Sequence, residues 1–169
     1  MGQATKPIPE GYHAIQPQLV FEDSTKAIAF YQKAFGAKEV MRMSGPGGKI
    51  MHAELEIGDS RFFLNDTFPG MGAEPPTTTH PCAAGVMLYV PDVDSTWKKA
   101  LTAGAKELQG GLKDQFWGDR GGLLMDPFGY TWFVATHIRD MTEDEMRKAQ
   151  QQAVREMQQR QQQGSATHP

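Results

Sequence analysis

One cysteine, Cys82, stands alone in 169 residues, so no disulfide can form within the chain and a reducing compartment suits it. Cys82 follows Pro81 in a loop and reads as a small loop residue rather than a nucleophile. No apolar run approaches the ~20 residues that span a bilayer. Met1 to Gly11 carry Pro7, Pro9 and Gly11 but no apolar stretch of the kind a secretory leader needs. Charge of one sign is scarce too. Seventeen basic against 20 acidic side chains leave a net charge of −3, which points to neither nucleic acid nor an anionic membrane as partner. The chain also has no phosphate loop, no Ser/His/Asp set in motif context and no CxxC pair. What is present, 39% hydrophobic and 22% charged residues, fits a globular protein, expected in the cytoplasm by elimination.

A short phrase occurs twice. Gly36-Ala37-Lys38-Glu39 and Gly104-Ala105-Lys106-Glu107 each close a helical pattern, and a glycine just past the last apolar turn is a helix stop. The surroundings repeat as well. In the first module a strand over Ala14 to Phe21 turns Ile15, Leu19 and Phe21 to one side. Asp23 or Ser24 caps a helix from Thr25 to Phe35 with Ala27, Ile28, Tyr31, Ala34 and Phe35 inward. Strands follow near Glu39 to Met43, Met51 to Ile57 and Arg61 to Asn65. In the middle one Met51, Ala53, Leu55 and Ile57 alternate with His52, Glu54 and Glu56.

The second module repeats this order. It has a strand at Val86 to Val90, a helix from about Ser95 to Ala103 with Trp97, Ala100 and Leu101 inward, and strands at Lys106 to Leu108, Gly121 to Met125 and Tyr130 to His137. Asp126-Pro127-Phe128-Gly129 makes the last tight turn. The chain thus divides into a flexible arm (1–12), a βαβββ module (13–67), a Pro/Thr/Gly-rich linker (68–84), a second βαβββ module (85–140) and a C-terminal segment (141–169). In that last segment Thr142-Glu143-Asp144-Glu145 has capping-box form, and Met146, Ala149, Ala153 and Met157 make one helix face before a glutamine-rich end expected to fray from about Gln158. This helix is expected to pack on the body or on a second subunit.

Asp23 with Phe30-Tyr31 and Phe35-Gly36, then Pro91-Asp92-Val93-Asp94, Ala103-Gly104-Ala105 and Asp126-Pro127-Phe128-Gly129-Tyr130, form an ordered set. In that order they resemble the vicinal oxygen chelate superfamily, which includes glyoxalase I, extradiol dioxygenases and bleomycin-binding proteins. Phe116-Trp117-Gly118-Asp119-Arg120 and the residues from Trp132 to Asp140 look like its PhnB-like subgroup. The resemblance implies an α+β fold: two paired βαβββ modules forming a cupped mixed sheet, helices on its convex face, a ligand in its concave face, and a homodimer. Whether the modules pair within a chain or swap between chains is left open.

Catalytic members of the family hold a divalent metal with histidines and carboxylates on the first and last strand of each module. Aligned on Phe30-Tyr31 and Ala103-Gly104, the first-strand positions carry Gln16 and Gly85 (Val86 if the register slips by one), while the last strand of module one offers Phe63 and the strand after the Asp-Pro-Phe-Gly turn Phe133; these are no divalent-metal set. The expectation is therefore no metal, no cofactor, and a small organic ligand in the cup. Candidate ligand-binding residues are Gln16, Gln18, His52, Glu54, Phe63, Asn65, Trp117, Arg120 and Phe133. The amides supply hydrogen bonds, the phenylalanines apolar walls, and Trp117 with Arg120 an aromatic wall beside a guanidinium, unless Arg120 pairs with a carboxylate such as Asp119. Trp132 reads as core and His137 as structural. The alternative is a lyase, isomerase or oxygenase using a displaced metal or His52 and Glu54, which share a strand face.

Overall fold

The computed structural model describes residues 6–70, 72 and 74–165, so the first five residues of the arm and the last four of the tail lie outside it. The first module contains β1 (Gln18–Phe21), α1 (Ser24–Phe35), β2 (Lys38–Ser44), β3 (Ile50–Ile57) and β4 (Ser60–Asp66). The second contains β5 (Gly85–Tyr89), α2 (Val93–Ala103), β6 (Lys106–Asp114), β7 (Asp119–Met125) and β8 (Thr131–His137), and α3 (Glu143–Ser165) follows. The strand orders are β1-β4-β3-β2 and β5-β8-β7-β6. In each sheet the first strand runs parallel to the last and the other pairings are antiparallel. This is the expected duplicated βαβββ architecture.

The repeat extends to the hydrogen bonds that start and stop the helices. Asp23 accepts from the Lys26 N–H and Asp92 from the Ser95 N–H, each satisfying a donor that the first helical turn leaves free. Both helices end on a glycine in the left-handed region, Gly36 at φ 69° and Gly104 at φ 112°. The last strand of each module also feeds its helix start: Asp66 accepts from the Ser24 N–H at 2.6 Å, and Thr136 Oγ1 from the Val93 N–H at 2.9 Å.

One hydrophobic core runs through both modules, and α1 packs against α2. Tyr31, Phe35 and Phe62 of the first module meet Trp132 of the second at ring-centroid distances of 5.2, 5.0 and 5.9 Å. At its centre lies Asp126, only 2% exposed. Its Oδ1 accepts from the Phe128 and Tyr130 N–H groups, and its Oδ2 from the Tyr31 hydroxyl at 2.6 Å and the Trp132 indole at 3.1 Å. Burial pushes this carboxyl above the ordinary range although four donors oppose the shift. The Asp-Pro-Phe-Gly turn is therefore a clamp between modules as well as a turn.

Several local expectations are corrected. The first strand starts at Gln18, not Ala14, and Ile15 is 84% exposed rather than inward. Proline at 17 removes one ladder N–H, and the Gln16 amide bonds the His13 carbonyl instead. Met51, expected on the apolar face, is 54% exposed, and Ile50 takes the buried place. The register passes from Met43–His52 to Ser44–Ile50, so Met51 is the extra residue of a bulge. Helix α2 begins at Val93 because Asp92 is the cap, and Leu101 faces solvent. Strand β6 runs past Leu108 to Asp114 through an irregularity where Gln109, Gly110 and Gly111 all have positive φ. Helix α3 opens with the expected Thr142–Glu145 capping box and runs to Ser165.

The cupped surface is built from two four-stranded sheets, and among the described residues no ladder joins β1 to β5. Between those edges lies a groove of about 810 Å³, walled by Gln18, Val20, Gly85 and Met87 with Pro75, Pro76, His80 and Cys82 of the linker. The Tyr130 hydroxyl crosses to β1, accepting from the Val20 N–H and donating to the Val20 carbonyl, both at 2.9 Å. It satisfies an edge strand that would otherwise offer open backbone groups. Among the described residues no helix is long and apolar enough to cross a membrane.

Candidate functional site

Strand alternation puts one row of side chains across the first sheet. Glu54 on β3 lies opposite Phe63 on β4, and Phe63 opposite Gln18 on β1. His52, Glu56, Arg61 and Asn65 share that face, as do Met41 and Met43, which pair with Glu54 and His52 from β2. Glu54 is the hub and only 5% exposed. Its Oε2 accepts from the Tyr12 hydroxyl at 2.7 Å and lies 3.6 Å from Arg61, while its Oε1 is 3.3 Å from His52 Nε2. A carboxylate this buried is tolerable only with such partners. Arg61 also reaches Glu56 at 3.3 Å and lies 4.8 Å over the Tyr12 ring. The hydrogen bond to Glu54 raises the Tyr12 phenol, which stays a donor.

Beside this hub the His52 ring lies 5.0 Å from Phe63, and among the described residues its Nδ1 has no partner. The Gln18 amide donates to Asn65 Oδ1 at 2.9 Å. Five of the candidates, Gln18, His52, Glu54, Phe63 and Asn65, thus lie on one sheet face. Gln16 does not join them on a strand. It borders a smaller cavity of about 330 Å³ with Val86 and Leu88, and its Oε1 is buried with no partner among the described residues. Tyr12 and Arg61, which the sequence does not single out, also belong to this hub. Tyr12 sits in an arm without periodicity, and its only signal is an aromatic ring next to Gly11.

The second sheet carries a matching carboxylate hub. Asp119, 1% exposed, accepts from the Tyr89 hydroxyl at 2.9 Å, the Trp117 indole at 2.8 Å and His137 Nδ1 at 2.8 Å. His137 Nε2 continues to Asp140 at 3.0 Å. Burial alone would raise Asp119, but the bonds from His137, Tyr89 and Trp117 outweigh it and hold the carboxyl below the ordinary range. Asp119 first and Asp140 second raise His137. Trp117 and Phe133 come together here, 5.9 Å apart, with Phe116 at 4.9 Å from Trp117.

Arg120 is not part of this face. Its guanidinium grips Asp94 of α2 with two bonds of 2.8 Å and Asp114 with one of 2.9 Å. Neighbours on a strand point to opposite faces, so Asp119 inside the cup sends Arg120 to the helix side.

The family's metal positions do not suit a metal. Phe63 and Phe133 carry no donor atom, Gly85 has no side chain, and Gln16 offers one neutral amide, so no step through a bound ion is derived. Among the described residues no three His, Cys, Asp or Glu side chains are grouped to hold an ion.

The fold and its two lined faces define a protein of the glyoxalase type. The chain belongs to the glyoxalase/bleomycin resistance protein/dioxygenase superfamily, whose model matches residues 13–134. It is 41% identical over 139 residues to the uncharacterized protein Rv0887c of Mycobacterium tuberculosis, a match covering 80% of this chain and 81% of that relative. Among solved structures, TioX from Micromonospora sp. ML1 shares 27% identity at a TM-score of 0.58, covering 74% of this chain and 100% of its own. A PhnB protein from Bacillus cereus shares the fold at 19% identity and a TM-score of 0.58, covering 73% of this chain and 99% of its own.

Proposed function

We propose that this protein binds a small organic molecule on its concave sheet faces without the metal of the catalytic family members, and that it stands with the PhnB-like proteins. The observation that carries the reading is the row across the first sheet: a saturated Glu54 hub, an open His52 nitrogen and the Phe63 ring side by side. A few fixed polar groups set against aromatic and methionine walls are what a ligand pocket requires. Glu54, with both oxygens engaged, fixes the geometry of its neighbours. His52, Gln18 and Asn65 offer hydrogen bonds, and Phe63 offers a flat wall.

The protein works as a cytoplasmic homodimer in this reading. Met41, Met43, Met87 and Tyr89 are 39, 53, 51 and 56% exposed, and a second subunit would cover them. The test is a thermal-shift and isothermal-titration screen of aromatic and antibiotic-like compounds on the untagged chain. A binder whose affinity falls about tenfold on Phe63→Ala is expected; a screen without a binder contradicts the reading.

The enzymatic alternative, with His52 as a general base oriented by Glu54, is favoured by one observation, their 3.3 Å contact. If it is correct, turnover of a small carbonyl compound would be abolished by His52→Gln while ligand binding persists.

A further inference from the structure

Helix α3 lies outside the residues that the family model matches, yet it bears on the second sheet face. Its Ala153, Glu156 and Met157 form one wall of a cavity of about 470 Å³ whose other walls are Trp117, Leu123 and Phe133. Met146, Ala149 and Ala153, spaced for one helix face, are its half-buried residues. Ala153 and Met157 therefore face the aromatic sheet surface across a gap that no described side chain fills. A gap of this kind forfeits the dispersion contacts that close packing provides.

The start of the helix is pinned. The Gly118 carbonyl accepts from both the Ile138 and Arg139 N–H groups at 3.0 Å, and Gly118 has a φ of 95° with no room for a Cβ beside the Arg139 carbonyl. The capping box at Thr142 then sets the helix direction. Beyond this anchor, Ala153, Glu156 and Met157 line the gap.

We propose that α3 is a hinged roof and that the space beneath it is a binding site for a neutral, planar aromatic molecule stacked between Trp117, Phe133 and the Ala153–Met157 stripe. The volume suits a two- or three-ring compound. Asp114 is already committed to Arg120, so Lys113 and Glu156 leave the lining close to electrically balanced, which favours an uncharged guest. The rings can stack on the indole, whose N–H is held by Asp119 and cannot swing away. The proposal rests on the ligand-binding reading above and assigns the second face its chemistry.

The test uses the full chain and the neutral naphthalene fluorophore prodan, with hydrogen exchange of α3 as second readout. Ala153→Trp fills the gap from the helix side, so prodan binding is expected to weaken about tenfold while the α3 amides become more protected. Ala153→Asp places a charge in the same gap, so prodan weakens similarly but α3 protection falls. Ala153 is outside the core, so both variants should fold. Prodan affinity within twofold of the parent in both variants, but lowered tenfold by Phe63→Ala, would overturn the roof and leave the ligand-binding reading standing on the first face. Prodan failing to bind the parent chain would overturn the roof as well, and the compound screen would then decide the broader reading alone.

Discussion

Asp126 shows how a motif residue acts through its own hydrogen bonds. It reads in the sequence as the start of a tight turn, and the structure adds that it receives the Tyr31 hydroxyl from the other module. Tyr31→Phe deletes that donor inside a site with no exposure, and a buried acceptor left short costs about 1–3 kcal/mol. The unfolding free energy should fall by that amount, seen as a lower denaturant midpoint with an unchanged m-value.

His137 makes a second residue-scale prediction. Its folded pKa is raised by Asp119 and Asp140, so its stabilising effect is complete below the unfolded histidine value and is lost as pH rises through the folded one. Asp119 is lowered, so its share is present above the unfolded carboxylate value and lost as pH falls through the folded one. Unfolding free energy followed against pH should decline through the upper window, and His137→Gln should flatten that decline. An NMR midpoint for His137 at or below the ordinary histidine value would contradict the pairing.

Among elements, what the sequence made legible was whatever repeats locally. The α1 cap, the glycine stops and the α1 stripe depend on near neighbours, and the structure has them where the pattern puts them. The bulge at Met51 and the long β6 depend on a partner strand, which periodicity cannot see. Arg120 illustrates the same limit: its phase was readable only once the strand was known to begin at Asp119. Tyr12 was illegible because an irregular arm carries no period at all, although its hydroxyl completes the Glu54 hub. The loop at Gly118 lies with its backbone close against the Arg139 carbonyl. Gly118→Ala forces a Cβ against the Arg139 carbonyl at a φ that side chains avoid. The variant should melt earlier and show a red-shifted Trp117 emission, since the loop must move away from Phe133; unchanged emission would show that the loop absorbs the methyl group.

For the whole molecule, duplication gives each module its own sheet face, and the two faces carry different side chains. The first face has its carboxylate hub on β3 at Glu54, the second at the start of β7 at Asp119. Neither hub stands among the family's metal positions, where Gln16, Phe63, Gly85 and Phe133 occur instead. The exposed methionines on both faces predict a dimer in solution. Sedimentation equilibrium should give twice the 18.7 kDa chain mass, and Met43→Glu with Met87→Glu should shift it toward the monomer.

The central claim is that this cup works with its own side chains rather than through an ion, and metal content tests it most directly. Elemental analysis of untagged protein should find Zn, Ni, Mn and Fe far below one per chain. One equivalent of any of them, lost on His52→Ala, would contradict the account.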